Sequence, residues 1–293
     1  MAEHFAQPPG WEWWITLYFF CAGLAGGLYV LATIFRFRGT PRDEALARAG
    51  FIWTFPLVIL CAIFLTIDLG RPFDFWHMLI NTTPGAGGLN WKPWSPISLG
   101  SWALLVFGLF SFVGFVFASS MERRARAGAT ELTPPGFVRI INVIGSILGL
   151  FLASYTGVVL SVSNQPVWSD SWAIGALFVA SGLSASAALM AWIGRSRADA
   201  STETRLQRAD GYFALLEGLA LVLFFVTLAM AGTLSHTFHG IYWLLWILVV
   251  LSLIPPLRAL GARAPVGSGT LSALVVIAGV FLMRVAVIFS AQY

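Results

Sequence analysis

Apolar runs of about 18 to 25 residues recur along the whole sequence between short polar connections, each long enough to cross a hydrocarbon layer of about 30 Å. The runs are apolar on all faces and rich in Leu, Val, Phe, Ala and Gly. Barrel strands would instead alternate polar and apolar over roughly 10 residues, so the pattern predicts helices. Eight spans are expected, at residues 15–36, 51–68, 97–119, 137–162, 171–193, 211–234, 240–258 and 270–290. His236, His239 and Gly240 separate spans six and seven, and Pro255 with Pro256 is expected to close span seven, since proline cannot continue a helix interior cheaply. The fold class that follows is an all-α integral membrane protein.

Composition agrees with lipid as the solvent. With 58% hydrophobic and 10% charged residues and a mean hydropathy of +0.82, the protein has too little polar surface to coat a water-soluble globule. A pI of 9.4 could suggest nucleic acid, but the basic residues form short clusters between apolar runs and read as topology signals. The odd-numbered connections carry Arg36, Arg38, Arg42, Arg48, Arg123, Arg124, Arg126, Arg195, Arg197, Arg205, Arg208, Arg258 and Arg263, whereas the even ones carry Arg71 and Lys92. Both termini are therefore expected on the outer, extracytoplasmic face. Glu3 and Glu12 precede the first run and Arg36 and Arg38 follow it, the reverse of a cleavable signal peptide, so this run is expected to stay as a helix. Trp11, Trp13, Trp14, Trp76, Trp91, Trp94, Trp168 and Trp172 all fall on the outer side, as an interfacial aromatic belt would.

Residues 69–96 form the longest outer connection, and their Pro, Gly, Asn and Trp predict an ordered loop and a docking surface. Gly23 with Gly27 and Gly145 with Gly149 are spaced for close helix packing. Cys21 and Cys61 both lie inside apolar runs, without the spacing that holds zinc or an iron–sulfur cluster, so no cluster of the protein's own is expected.

Ionisable groups at membrane depth are expensive and point to function. Asp68 ends span two, Tyr155 lies in the outer part of span four, Arg284 lies in the outer half of span eight, and Glu217 sits nearer the cytoplasmic end of span six. With His77, Asn164, Gln165, Asp170, His236, His239 and Gln292 near outer span ends, a polar cluster forms just inside the outer surface. Such a cluster suits a quinone head group, which needs partners for two oxygens, a proton-exchanging group and an apolar corridor for its tail. Structural readings stand beside these: an Asp68–Arg71 ion pair, an interfacial His77 beside Trp76, a Tyr155 contact to a neighbouring helix, and a helix-end role for His236 and His239.

Three stretches resemble one known family. They are YFFCAGLAGGLYV (Tyr18–Val30) with DLGRPFDFWHML (Asp68–Leu79) and SPISLGSW (Ser95–Trp102), then YTGVVLSVSNQPVWSDS (Tyr155–Ser171), then FLMRVAVIFSAQ (Phe281–Gln292). Together they resemble the NrfD/PsrC family, the membrane subunits of polysulfide reductase and related iron–sulfur molybdoenzymes. The resemblance implies a single transmembrane domain over residues 1–293, built as two four-helix bundles in the bacterial or archaeal cytoplasmic membrane. It implies menaquinone or ubiquinone as the redox partner, without heme. It also implies a ferredoxin-like four-cluster iron–sulfur subunit, and through it a molybdopterin subunit.

On this resemblance Tyr155 matches a family tyrosine that approaches quinone, while span one offers Cys21 and Gly23 near a region where polysulfide reductase places Asn and His. The residues expected to bind quinone are Asp68, Arg71, His77, Tyr155, Asn164 and Arg284, with Asp68, His77, Tyr155 and Glu217 in proton chemistry. A cytochrome b-like anchor and a secondary transporter are the rival classes. The four histidines, with none in mid-span, speak against a bis-His heme, and no inverted repeat favours transport.

Overall fold

A computed structural model describes residues 9–40, 43–85, 87–129, 132, 134–195, 200–261 and 269–292. Glu3, His4, Arg42, Arg197 and Arg263 lie outside the described residues. Helices dominate: α1 Trp13–Arg38, α2 Glu44–Asp68, α3 Pro96–Arg126, α4 Gly136–Ser161, α5 Ile174–Gly194, α6 Ala200–Ala231, α7 Tyr242–Ser252, α8 Ile254–Ala259 and α9 Gly269–Ser290. Taking α7 and α8 together, eight helices among the described residues are long and apolar enough to cross a membrane.

The helices run further than the apolar runs on the basic side. There α2 begins at Glu44, α3 continues to Arg126 and α6 starts at Ala200, because ion pairs satisfy the extra polar turns. Arg36 pairs with Glu44 at 2.7 Å, and Arg48 pairs with Glu122 at 3.0 Å. Span seven does not stop at its prolines. Pro255 and Pro256 fall in the first turn of α8, where a missing N–H leaves no helical bond unmade, so the helix breaks at Leu253 and resumes. Span five starts at Ile174, leaving residues 171–173 in the preceding loop.

The first four helices pack in a ring, α1 on α2, α2 on α3, α3 on α4 and α4 back on α1. A second ring runs from α5 to α6, on to α8 and α7, and through α9 back to α5, with α1 lying against α5 and α9. Small residues set the crossings: a Cβ on Gly26 would sit 2.3 Å from the Gly149 carbonyl oxygen, and Gly182 meets the Gly23 backbone. Trp11, just ahead of α1, and Gln292, just past α9, bond to each other, so the start of α1 and the end of α9 share one face of the bundle. At the opposite, arginine-rich face Asp43 is fully buried and accepts from Thr40, Thr202 and Arg205, tying the α1–α2 connection to α6.

The connection 69–96 is ordered. A 3-10 turn, Pro72–Met78, leads into a short antiparallel pair in which Ile80 faces Leu89 and Asn81 faces Gly88. Asn90 then anchors the loop to α3, its carbonyl accepting from Ser98 Oγ and from Trp102 Nε1.

Candidate functional site

A cavity of about 670 Å³ opens between the α2 C-terminal half and the α3 N-terminal half, closed at its inner edge by α1 and α4. Its walls are almost entirely apolar, with Phe19, Phe55, Val58, Leu104 and Phe112 along its length. Polar groups gather toward the arginine-poor end, where Tyr18, Thr66, Asp68, Ser101 and Tyr155 line it and Trp11, Phe75 and Met78 complete the wall. An elongated apolar slot with a few polar groups at one end matches the general build of a small-molecule site.

Asp68 is the last residue of α2 and half-buried. No ion pair joins it to Arg71 among the described residues; Arg71 is exposed and precedes Pro72, whose fixed φ starts the 3-10 turn. His77 is half-buried with its ring 3.9 Å from that of Trp76, and its carbonyl accepts from Asn90 Nδ2 at 3.1 Å. It does not line the cavity, although Phe75 and Met78 on either side of it in the sequence do.

Tyr155 lies against α3. Its hydroxyl donates to the Pro96 carbonyl at 2.5 Å, and Gly100 leaves room for the ring: a Cβ there would lie 2.3 Å from Cζ. The expected contact to a neighbouring helix is thus present, and the ring lines the cavity as well. With its proton on Pro96, the phenol oxygen can accept a hydrogen bond from a ligand hydroxyl.

Other expected residues lie elsewhere. Asn164 is exposed in the α4–α5 connection and does not line the cavity. Arg284 is fully buried in α9, donating to the Phe19, Phe178 and Val280 carbonyls and to Ser181 Oγ, with its guanidinium 4.7 Å from the Phe178 ring centroid. Gly23 makes space for it, since a Cβ would sit 2.8 Å from Arg284 Nη2. Glu217 is buried in α6, and neither carboxyl oxygen has a hydrogen-bond partner among the described residues. Two turns toward the arginine-rich face, Asp210 accepts from Ser184 at 2.7 Å beside a small void of about 20 Å³. His239 Nδ1 contacts the His236 carbonyl, a helix-end arrangement.

Trp168 departs from the expected belt. It is buried, its Nε1 donates to the Val287 carbonyl at 2.8 Å, and its ring lies 4.9 Å from Trp11. Sequence reasoning placed Trp11 only in the aromatic belt and assigned no role to Tyr18, which opens the first family-like run and lines the same cavity as Asp68.

Comparison with known proteins follows the same lines. A family profile described as "Polysulphide reductase, NrfD" matches residues 2–293. Protein NrfD of Escherichia coli (strain K12) is 26% identical over 96% of this sequence and 95% of its own. One of the chains of polysulfide reductase from Wolinella succinogenes is 26% identical over 96% of this sequence and 94% of its own. One of the subunits of selenate reductase from Mesobacillus selenatarsenatis is 29% identical over a shorter stretch, 28% of this sequence and 19% of that one. With eight apolar helices and relatives of this kind, the protein is a multi-pass protein of the bacterial inner membrane. The chain belongs to the polysulphide reductase, NrfD, family.

Proposed function

We propose that this membrane subunit of a reductase complex exchanges electrons with a membrane quinone in the cavity between α2 and α3, passing them to or from an iron–sulfur subunit docked at the arginine-poor face. Two relatives are named as components of reductases, one for polysulfide and one for selenate, which supports a place in such a complex. The observation that carries the quinone reading is the slot itself, about 670 Å³ of apolar wall with Asp68 and Tyr155 at one end. An isoprenoid tail fits the apolar length, and the head group meets the polar end.

The residues then divide the work. As bonded, Tyr155 offers an oxygen acceptor to one quinol hydroxyl, and the Asp68 carboxylate can take the proton of another. His77, half-buried in the adjoining loop, would relay protons from Asp68 to the outer surface, and exposed Arg71 would hold the local potential positive. Quinol oxidation releases two protons and two electrons; the electrons leave to the iron–sulfur partner and, through it, a molybdopterin subunit. Menaquinone and ubiquinone share this chemistry. The arginine-rich face is assigned to the cytoplasm by the positive-inside rule, which puts both termini outside. Glu217 and Asp210, on one side of α6, are assigned to proton movement from the cytoplasm, since an unpartnered buried carboxyl is costly to keep without a use. Arg284 is assigned to holding α9 against α1 and α5, and Asn164 to the loop surface.

Quinol-linked turnover of the assembled complex tests the assignment. Asp68→Asn and Tyr155→Phe are each expected to lower it by about 10- to 100-fold, the usual worth of a positioned acid–base group. Full turnover in both variants would sink the proposal.

A further inference from the structure

The Asn-Gln-Pro-Val-Trp run, residues 164–168, contributes nothing to the cavity wall directly, yet it reaches the cavity through one residue. Trp11, two residues ahead of α1, lines the cavity. Its backbone N–H donates to Gln292 Oε1 at 2.7 Å and its carbonyl accepts from Gln292 Nε2 at 3.1 Å, so one side-chain amide clasps both backbone polar groups of one residue. Its ring rests on Trp168 at 4.9 Å and meets Phe19 edge-on at 5.9 Å.

That support is itself fixed. Trp168 Nε1 donates to the Val287 carbonyl, and Gln165 Nε2 donates to the Ala291 carbonyl at 3.3 Å, which binds the loop to the end of α9. Val167 holds a φ of 72°, a left-handed conformation that a β-branched residue seldom adopts, and Asp170 Oδ2 accepts its N–H at 3.0 Å. Backbone held in such a region by its surroundings marks a place where geometry is constrained. A residue ahead of a first helix is ordinarily loosely held; here two hydrogen bonds and a ring contact hold it.

We infer that Gln292 is a positioning residue for the quinone site: with Trp168 it fixes the Trp11 indole as the end wall against which the planar head group packs. The inference rests on the quinone reading of the cavity.

The test titrates the purified complex with heptyl-hydroxyquinoline N-oxide, a quinol analogue whose fluorescence is quenched on binding. Trp11→Ala and Gln292→Ala are each expected to weaken binding about ten-fold, the worth of roughly 1.4 kcal/mol. The double variant is expected to bind no more weakly than Trp11→Ala alone, because Gln292 acts through Trp11. Gln292→Glu, which keeps the acceptor for the Trp11 N–H and loses the donor to its carbonyl, is expected to fall between. Wild-type affinity in Gln292→Ala, or a full further ten-fold loss when it is added to Trp11→Ala, overturns the inference while leaving the quinone reading in place. Where Gln292→Ala does not assemble, wild-type affinity in assembled Gln292→Glu overturns it equally. A wild-type complex that does not bind the N-oxide overturns the quinone reading and this inference with it.

Discussion

Replacing Gly100 by alanine drives a methyl group into the Tyr155 ring. The added Cβ would lie 2.3 Å from Cζ and from Oη and 2.4 Å from Cε1, about 1 Å inside the optimal separation of roughly 3.5 Å for such atoms. Both partners sit on helices, α3 and α4, so the ring must swing outward into the cavity and give up its bond to the Pro96 carbonyl. Overpacking of this kind costs about 1–3 kcal/mol, and the lost hydrogen bond about 0.5–1.5 kcal/mol. If the ring invades the head-group end, even about 1.4 kcal/mol of this amounts to ten-fold in affinity. Gly100→Ala is therefore expected to lower the thermal midpoint of the complex in detergent, weaken N-oxide binding at least about ten-fold, and depress quinol turnover in parallel. Tyr155→Phe keeps Cζ in place, so Gly100→Ala should remain harmful in that background. Wild-type binding and turnover in Gly100→Ala would refute the reasoning, since the Tyr155 position could not then govern the site.

Glu217→Gln removes the titratable proton from a carboxyl that makes no hydrogen bond among the described residues. On the proposed function, the proton signal per quinol in vesicles carrying the complex should fall while uncoupled turnover persists; an unchanged signal removes Glu217 from the proposed proton route. For Asp43, burial alone would raise the carboxyl, but bonds from Thr202 and Thr40 and the nearby Arg205 outweigh it and hold it below the usual carboxylate range. A folded value below the unfolded one means the carboxylate stabilises the fold at neutral pH, and this contribution is lost as pH falls through about 4 and below. Asp43→Asn should thus lower the thermal midpoint at neutral pH and flatten its decline in acid; parallel curves for the two proteins would contradict this.

The membrane spans were legible because lipid leaves the backbone few choices, and eight apolar runs of sufficient length declare themselves. Their ends were less so. Arg48, Arg123, Arg124, Arg126 and Arg205 read as loop residues by hydropathy, yet they belong to helices; Arg48 and Arg205 are paired with Glu122 and Asp43 from distant parts of the sequence. At the site, Asp68 and Tyr155 were visible as polar residues at the wrong depth, and the cavity brings them to one end. Trp11 was hidden by its resemblance to the many interfacial tryptophans. What separates it is the clasp by Gln292, 281 positions away, which no local pattern encodes. Arg284 was conspicuous for the same reason as Asp68, but its donors are spent on helix carbonyls.

The burial of α1 bears on how the protein is made. This helix leaves the ribosome before α4, α5 and α9, yet its small-residue face is completed only by them. Asp43, beyond its arginine-rich end, likewise finds Thr202 and Arg205 only once α6 has been synthesised. Helix α1 must therefore wait in the bilayer, incompletely packed, while these later ones insert. A polypeptide truncated after α4 would leave Gly23 and Gly27 facing lipid and Asp43 without Thr202 and Arg205, a substrate for membrane quality-control proteases rather than a half-sized functional unit.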